Sequence, residues 1–170
     1  IAKVKSVPEF LETLKLLHFC GPLKGNNVAS LSCSGGEASL IADTAFSYNL
    51  NFPELNETQK RGLRDALGPM VALANPLDYH TYIWGDGKAI GAMMVAIMTG
   101  DQDITLSVVD FPRGDRCSPA AWECVLEGAE IAVKTASGPL AFVTTLPENL
   151  SEPVADRLLA MNVLPMHGFQ

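Results

Sequence analysis

The chain has 170 residues, a net charge of −7 and an apolar fraction of 48%. That is long enough for one domain with a real core and too apolar for a disordered segment. The acidic balance and the absence of a Lys/Arg cluster exclude nucleic acid as the expected partner.

Residues 8–19, "PEFLETLKLLHF", predict a helix with Phe10, Leu14 and Leu17 on one face and Pro8 in the first turn. "CGPLKGNN" reads as a linker, so 1–23 is a lead-in helix and linker, and the main domain runs over 24–170. "VASLSC" predicts a short strand leading at once into a helix with Ala38, Ile41, Ala42 and Ala45 on one stripe. "NETQ" places an Asn cap with Gln three residues on, opening a helix to Leu67. "MVALANP" predicts a strand stopped by Pro76, and Gly87 to Met98 a helix with Ile90, Met94, Ile97 and Met98 inward.

"DITLSVVDF" is the expected buried strand, rich in β-branched residues. A helix over 118–134 follows, with Trp122, Val125, Leu126, Ala129 and Val133 in its stripe. Then come a strand over 139–147, a helix over 151–161 and a last strand over 162–166. Strands alternating with helices imply a three-layer α/β fold, flavodoxin-like, with a mostly parallel sheet of about five strands. Ligands of such sheets sit outside the carboxyl ends of the strands, here Cys33 to Gly36, Asn75 to Asp78, Asp110 and Thr144.

The four cysteines form no CxxC pair, His18, His80 and His167 are scattered, and no metal site is expected. A reduced, cytoplasmic compartment is the simple reading. The longest uncharged apolar stretch, 89–100, is shorter than the roughly 20 residues a bilayer span needs, so no membrane is expected. The chain begins at Ile1 without a methionine and ends where a closing helix would begin, as a piece of a larger protein would.

One loop holds most of the candidate chemistry. Ser34-Gly35-Gly36-Glu37 matches the capping box S-x-x-E, and the same turn into a helix offers bare N–H groups to an anion. It lacks both GxGxxG and the P-loop lysine, and Glu37 would repel a phosphate unless it turns back to cap the loop. A Ser34 or Cys33 nucleophile would need a histidine base that the sequence does not tie to the loop. In "NPLDYHTYIWGD", Asn75-Pro76 fixes a turn, Asp78 caps locally, and His80 beside Asp78 is a loop histidine rather than an acid–base partner. Trp122 and the methionines of 93–98 are assigned to the core.

Taken in order, "SGGEASLIAD", "FPELNETQKRGLRDAL" and "ANPLD" resemble the NDP-forming acyl-CoA synthetases, the acetate–CoA ligase group related to succinyl-CoA synthetase. Within that family the chain is similar to the second flavodoxin-like ligase subdomain, and "NPLDYHTYIWGD" is similar to feruloyl-CoA synthetase-type members. The resemblance implies ligation of a carboxylic acid to CoA with ATP or GTP and Mg2+, through an acyl phosphate and a phosphohistidine. It implies CoA-binding and ATP-grasp domains as partners. It also implies that Ser34, Gly35 and Gly36 hold a phosphoryl group at a helix N-terminus, with Asn75 and Asp78 in a supporting loop. The family's phosphohistidine lies in an S-H-T-G motif that this sequence does not contain, so no catalytic residue is expected here and the fragment alone should be inactive. The alternatives are a non-catalytic flavodoxin-like binding module and, less favoured, a Ser/Cys hydrolase.

Overall fold

Five consecutive buried residues, Val28–Ser32, form β1, as a strand covered on both faces requires. The computed structural model describes residues 3–169, so positions 1 and 2 of the lead-in segment and position 170 of the main domain lie outside the described residues. Before β1 runs α1, Val7–Cys20, whose start is fixed by the Ser6 side chain accepting from the Glu9 N–H. After it come α2, Gly35–Phe46, and α3, Glu57–Leu67. Both halves of the capping box predicted from "NETQ" are present at α3, between Asn56 and Gln59. The chain continues through β2 (Leu77–Asp78), α4 (Gly87–Ile97), β3 (Ile104–Val108), α5 (Glu123–Thr135), β4 (Leu140–Val143), α6 (Glu152–Ala160) and β5 (Leu164–Met166).

The strands pair in the order β2-β1-β3-β4-β5, all parallel. This is the doubly wound flavodoxin-like order, with its switch point between β1 and β3. Side chains alternate across the sheet. On one face Ala29, Leu31, Leu140 and Phe142 join α3, α4, α5 and α6 in the larger core, through Leu63, Met93, Met94, Val125 and Leu158. On the other face Val28, Ile104, Ala141 and Leu164 meet Leu16 and Phe19 of α1. The predicted inward residues of α4 are all buried.

Three expectations are corrected. The face of α1 bearing Phe10, Leu14 and Leu17 is exposed. Helix α1 is apolar on more than one side, and the sheet takes Leu16, Phe19 and Cys20 instead. Its orientation is pinned where Glu12 accepts from the His167 N–H at 3.2 Å. The strand expected over 70–76 does not form, and β2 begins after Pro76. The Asn75 side chain stands in for strand backbone: its Oδ1 accepts from Ser30 N–H at 3.0 Å, and its Nδ2 donates to Val28 O at 2.9 Å. Finally, the helix expected from residue 118 opens as a 3₁₀ turn over Ala120–Trp122, and α5 proper starts at Glu123.

Helices α4 and α5 approach closely because both carry glycine at the contact. A Cβ at Gly91 would stand 2.8 Å from Ile131 Cβ. One at Gly128 would stand 2.5 Å from Ile90 Cγ2 and 3.0 Å from the Gly91 backbone nitrogen.

Candidate functional site

The carboxyl ends of β1, β2 and β3 deliver Cys33, Asp78 and Asp110 to one edge of the sheet, beside the first turn of α2. Ser34 has extended backbone angles and its Oγ accepts from the Glu37 N–H at 3.3 Å, which is the cap the sequence predicts. The reciprocal half of the capping box is missing. Glu37 turns away from the Ser34 backbone, and its Oε2 lies 4.0 Å from the Cys33 thiol that donates to it. The half-buried Glu37 side chain lines the cleft beside it instead.

The two glycines differ in surroundings. A Cβ on Gly36 would meet only Ser34 Oγ, at 3.5 Å, so the approach to its backbone is open. A Cβ on Gly35 would meet Asp78 Oδ2 at 3.1 Å, so a carboxylate already stands there. Asp78 accepts from the His80 N–H at 2.9 Å, with His80 Nδ1 at 3.5 Å from its other oxygen. Asp110 is held by Thr145, whose N–H donates to it at 2.7 Å and whose hydroxyl also donates.

Between these groups lies a cleft of about 380 Å³. Trp84, Trp122, Val109 and Ala121 form its apolar walls, and Cys33, Glu37, Thr81 and Asp110 supply its polar groups. The two indoles meet edge to face with ring centroids 5.6 Å apart. Trp122 packs against the larger core as expected, but it is half-buried, and its free side is a wall of the cleft.

Burial pushes the Glu37 carboxyl up to about 7, with the charges of Asp110 and Asp78 adding to the effect. Burial, then the charge of Glu37, raises the Cys33 thiol to about 11, so it stays protonated at neutral pH and is a poor nucleophile. The Ser34 hydroxyl is occupied as a cap, and His80 is turned to Asp78. The arrangement thus lacks the base a Ser or Cys hydrolase needs. Glu37 is the cleft carboxyl poised for proton exchange near neutrality.

A raised carboxyl binds its proton more tightly in the folded chain than in the unfolded one. Its contribution is fully present below the unfolded value near 4.5 and is lost as pH rises through about 7. Urea unfolding of the wild type should therefore show stability falling between pH 4.5 and 7.5. Glu37→Gln should flatten that part of the profile, and an unchanged slope would contradict the assignment.

Of the other sequence-predicted positions, Asn75 lies alongside β1, opposite Val28–Ser30, rather than at a carboxyl end. Thr144 is fully buried between the ends of β4 and β5, where its hydroxyl accepts from the Gly168 N–H at 3.4 Å. Trp84, Thr81 and Ala121 were not anticipated. The only hint was the aromatic run "YIWGD" after β2, whose meeting with Trp122 depends on the 3₁₀ turn. Among the described residues no cluster of three or more His, Cys, Asp or Glu is arranged to hold a metal ion. No helix of the described residues is long and apolar enough to cross a membrane.

Strand order and the edge at which the loops converge define a flavodoxin-like α/β domain of the doubly wound class. No family model matches the chain. Among solved structures it is similar to the dinucleotide-forming acetyl-coenzyme A synthetase 1 of Ca. Korarchaeum cryptofilum in its apo form, with TM-score 0.76 and 18% identity over 99% of this chain and 36% of that one. The same enzyme in complex with phosphate and ADP aligns with TM-score 0.64 and 15% identity, over 97% of this chain and 34% of that one. PH0766 of Pyrococcus horikoshii OT3 aligns with TM-score 0.73 and 21% identity, over 98% and 37%. The chain thus spans just over a third of the length of the solved chains it matches, and the likeness establishes the shared fold.

Proposed function

We propose that this chain is one domain of an NDP-forming acyl-CoA synthetase, which ligates a carboxylic acid to CoA at the expense of ATP or GTP. The observation carrying the proposal is that nearly the whole chain superposes on about a third of an acetyl-coenzyme A synthetase, with a glycine-started helix at its loop edge. In this reading the phosphohistidine, CoA, nucleotide and Mg2+ belong to other domains, either on the same chain or on partner subunits. The division at residues 23 and 24 and a cytoplasmic location belong to the same proposal.

The role of this chain is electrostatic. The N-terminus of α2 carries the equivalent of about half a positive charge together with unpaired N–H groups, which suits a phosphoryl oxygen. The phosphoryl group would approach Gly36, because Asp78 stands against Gly35. Ser34 shapes the turn by capping it, and Asp78 with Asn75 positions the neighbouring loop. Glu37 offers least repulsion in its protonated form, which is substantially populated near pH 7. A nucleoside triphosphate does not fit this cleft, because carboxylates line it and no Lys or Arg does.

The test uses the full-length gene product. It should turn over ATP in an acid- and CoA-dependent manner, and Gly36→Asp should slow phosphohistidine formation at least tenfold, read as acid-labile label from radiolabelled ATP. Normal labelling of the variant would remove the helix from the mechanism, and absence of acid-dependent turnover would overturn the ligase reading. The acidic surroundings of α2 favour one second reading, a flavodoxin-like binding module without catalysis. A flanking S-H-T-G segment and an ATP-grasp domain in the reading frame favour the enzyme, and their absence favours the module.

A further inference from the structure

The cleft at the β1/β3 switch point has acidic groups, aromatic walls and no basic side chain among its lining residues. Two of the three nearby carboxylates are satisfied: Asp110 by Thr145, and Asp78 by the His80 N–H. Among the described residues Glu37 has only the Cys33 thiol as a partner, at 4.0 Å. An unpaired carboxylate drawn into an apolar site is costly, and burial pushes Glu37 up to about 7, with the charges of Asp110 and Asp78 adding to the effect. Glu37 therefore brings to the cleft hydrogen-bonding capacity that no other partner among the described residues uses.

We propose that the cleft binds a small aromatic ammonium compound, its ring against the Trp84–Trp122 pair and its cationic head on Glu37 and Asp110. The volume of about 380 Å³ lies within the range of small-molecule pockets. Indole faces attract cations. The positive end of α2 is centred on Gly35 and Gly36, which do not line the cleft, whereas Glu37 and Asp110 do. Binding displaces the Glu37 proton to solvent, so affinity tightens as pH rises through neutrality. The groups facing Glu37 are Cys33 and Tyr79, which stay protonated throughout, and Asp78 and Asp110, which favour the cation. The proposal does not depend on the ligase reading.

The chain's two tryptophans both line the cleft, so intrinsic fluorescence reports this site directly. Phenethylammonium chloride titrated into the protein at pH 8 should give a saturable change, with a Kd about tenfold below those of 2-phenylethanol and 3-phenylpropanoate. Its affinity should rise several-fold from pH 6 to pH 8. Glu37→Gln should bind about tenfold more weakly and lose that pH dependence. Equal or tighter binding of the alcohol or the carboxylate, or no saturable response to the ammonium, would overturn the proposal on the wild type alone. Retention of the pH dependence in Glu37→Gln would overturn the role of that residue.

Discussion

Asn75→Ala is expected to destabilise the protein by about 4 kcal/mol, because it strands two buried main-chain groups at once. The Asn75 amide accepts from Ser30 N–H and donates to Val28 O and, at 3.1 Å, to Pro53 O. Ser30 and Val28 are almost wholly buried in β1, so water cannot replace the lost partners. Each stranded group costs roughly 1–3 kcal/mol. Asn75→Asp keeps an acceptor for Ser30 but loses both donations, so it should also be strongly destabilised. Urea unfolding monitored by circular dichroism gives the comparison, and a loss under about 1 kcal/mol for the alanine variant would show that the side chain is not standing in for a strand.

Gly128→Ala should lower stability by about 2 kcal/mol, although alanine is the better helix former. Propensity favours the change by about 1 kcal/mol. Against it, the new methyl would sit 2.5 Å from Ile90 Cγ2 and 3.0 Å from the backbone of Gly91. Backbone cannot rotate away, so α4 and α5 must part, and overpacking of this kind costs up to about 3 kcal/mol. For a chain of this size the midpoint of thermal unfolding should fall by roughly 4–8 °C. Gly114→Ala is the control, since a Cβ there meets nothing within 4 Å. Equal midpoints for the two variants would refute the close approach.

Elements with one dominant signal were legible in the sequence. β1 and β3 are short runs in which apolar or β-branched residues predominate, α4 has an inward stripe, and "NETQ" encodes both hydrogen bonds of its cap. The parallel sheet then followed from alternation of element types. Where two physical solutions competed, sequence could not choose. α1 is apolar on several sides, and only the sheet beneath selects Leu16 and Phe19 over Phe10 and Leu14. "MVALANP" has the composition of a strand, yet an amide side chain 45 residues from Ser30 takes the ladder position instead. At the site, the Ser34 cap was readable, but the direction of Glu37 was not. It depends on a cleft assembled from four separate segments.

The two outer strands of the sheet impose a rule on how this domain can join others. β2 is two residues long and follows directly on Pro76, while β5 has Pro165 at its centre, opposite Phe142. Proline offers no N–H, so each border is a poor template for an added strand from another polypeptide. Lateral growth into a continuous intermolecular sheet is disfavoured on both sides. Helices and loops are thus the surfaces better suited to a larger assembly, and the carboxyl-end cleft can face a neighbour without distorting the sheet that supports it.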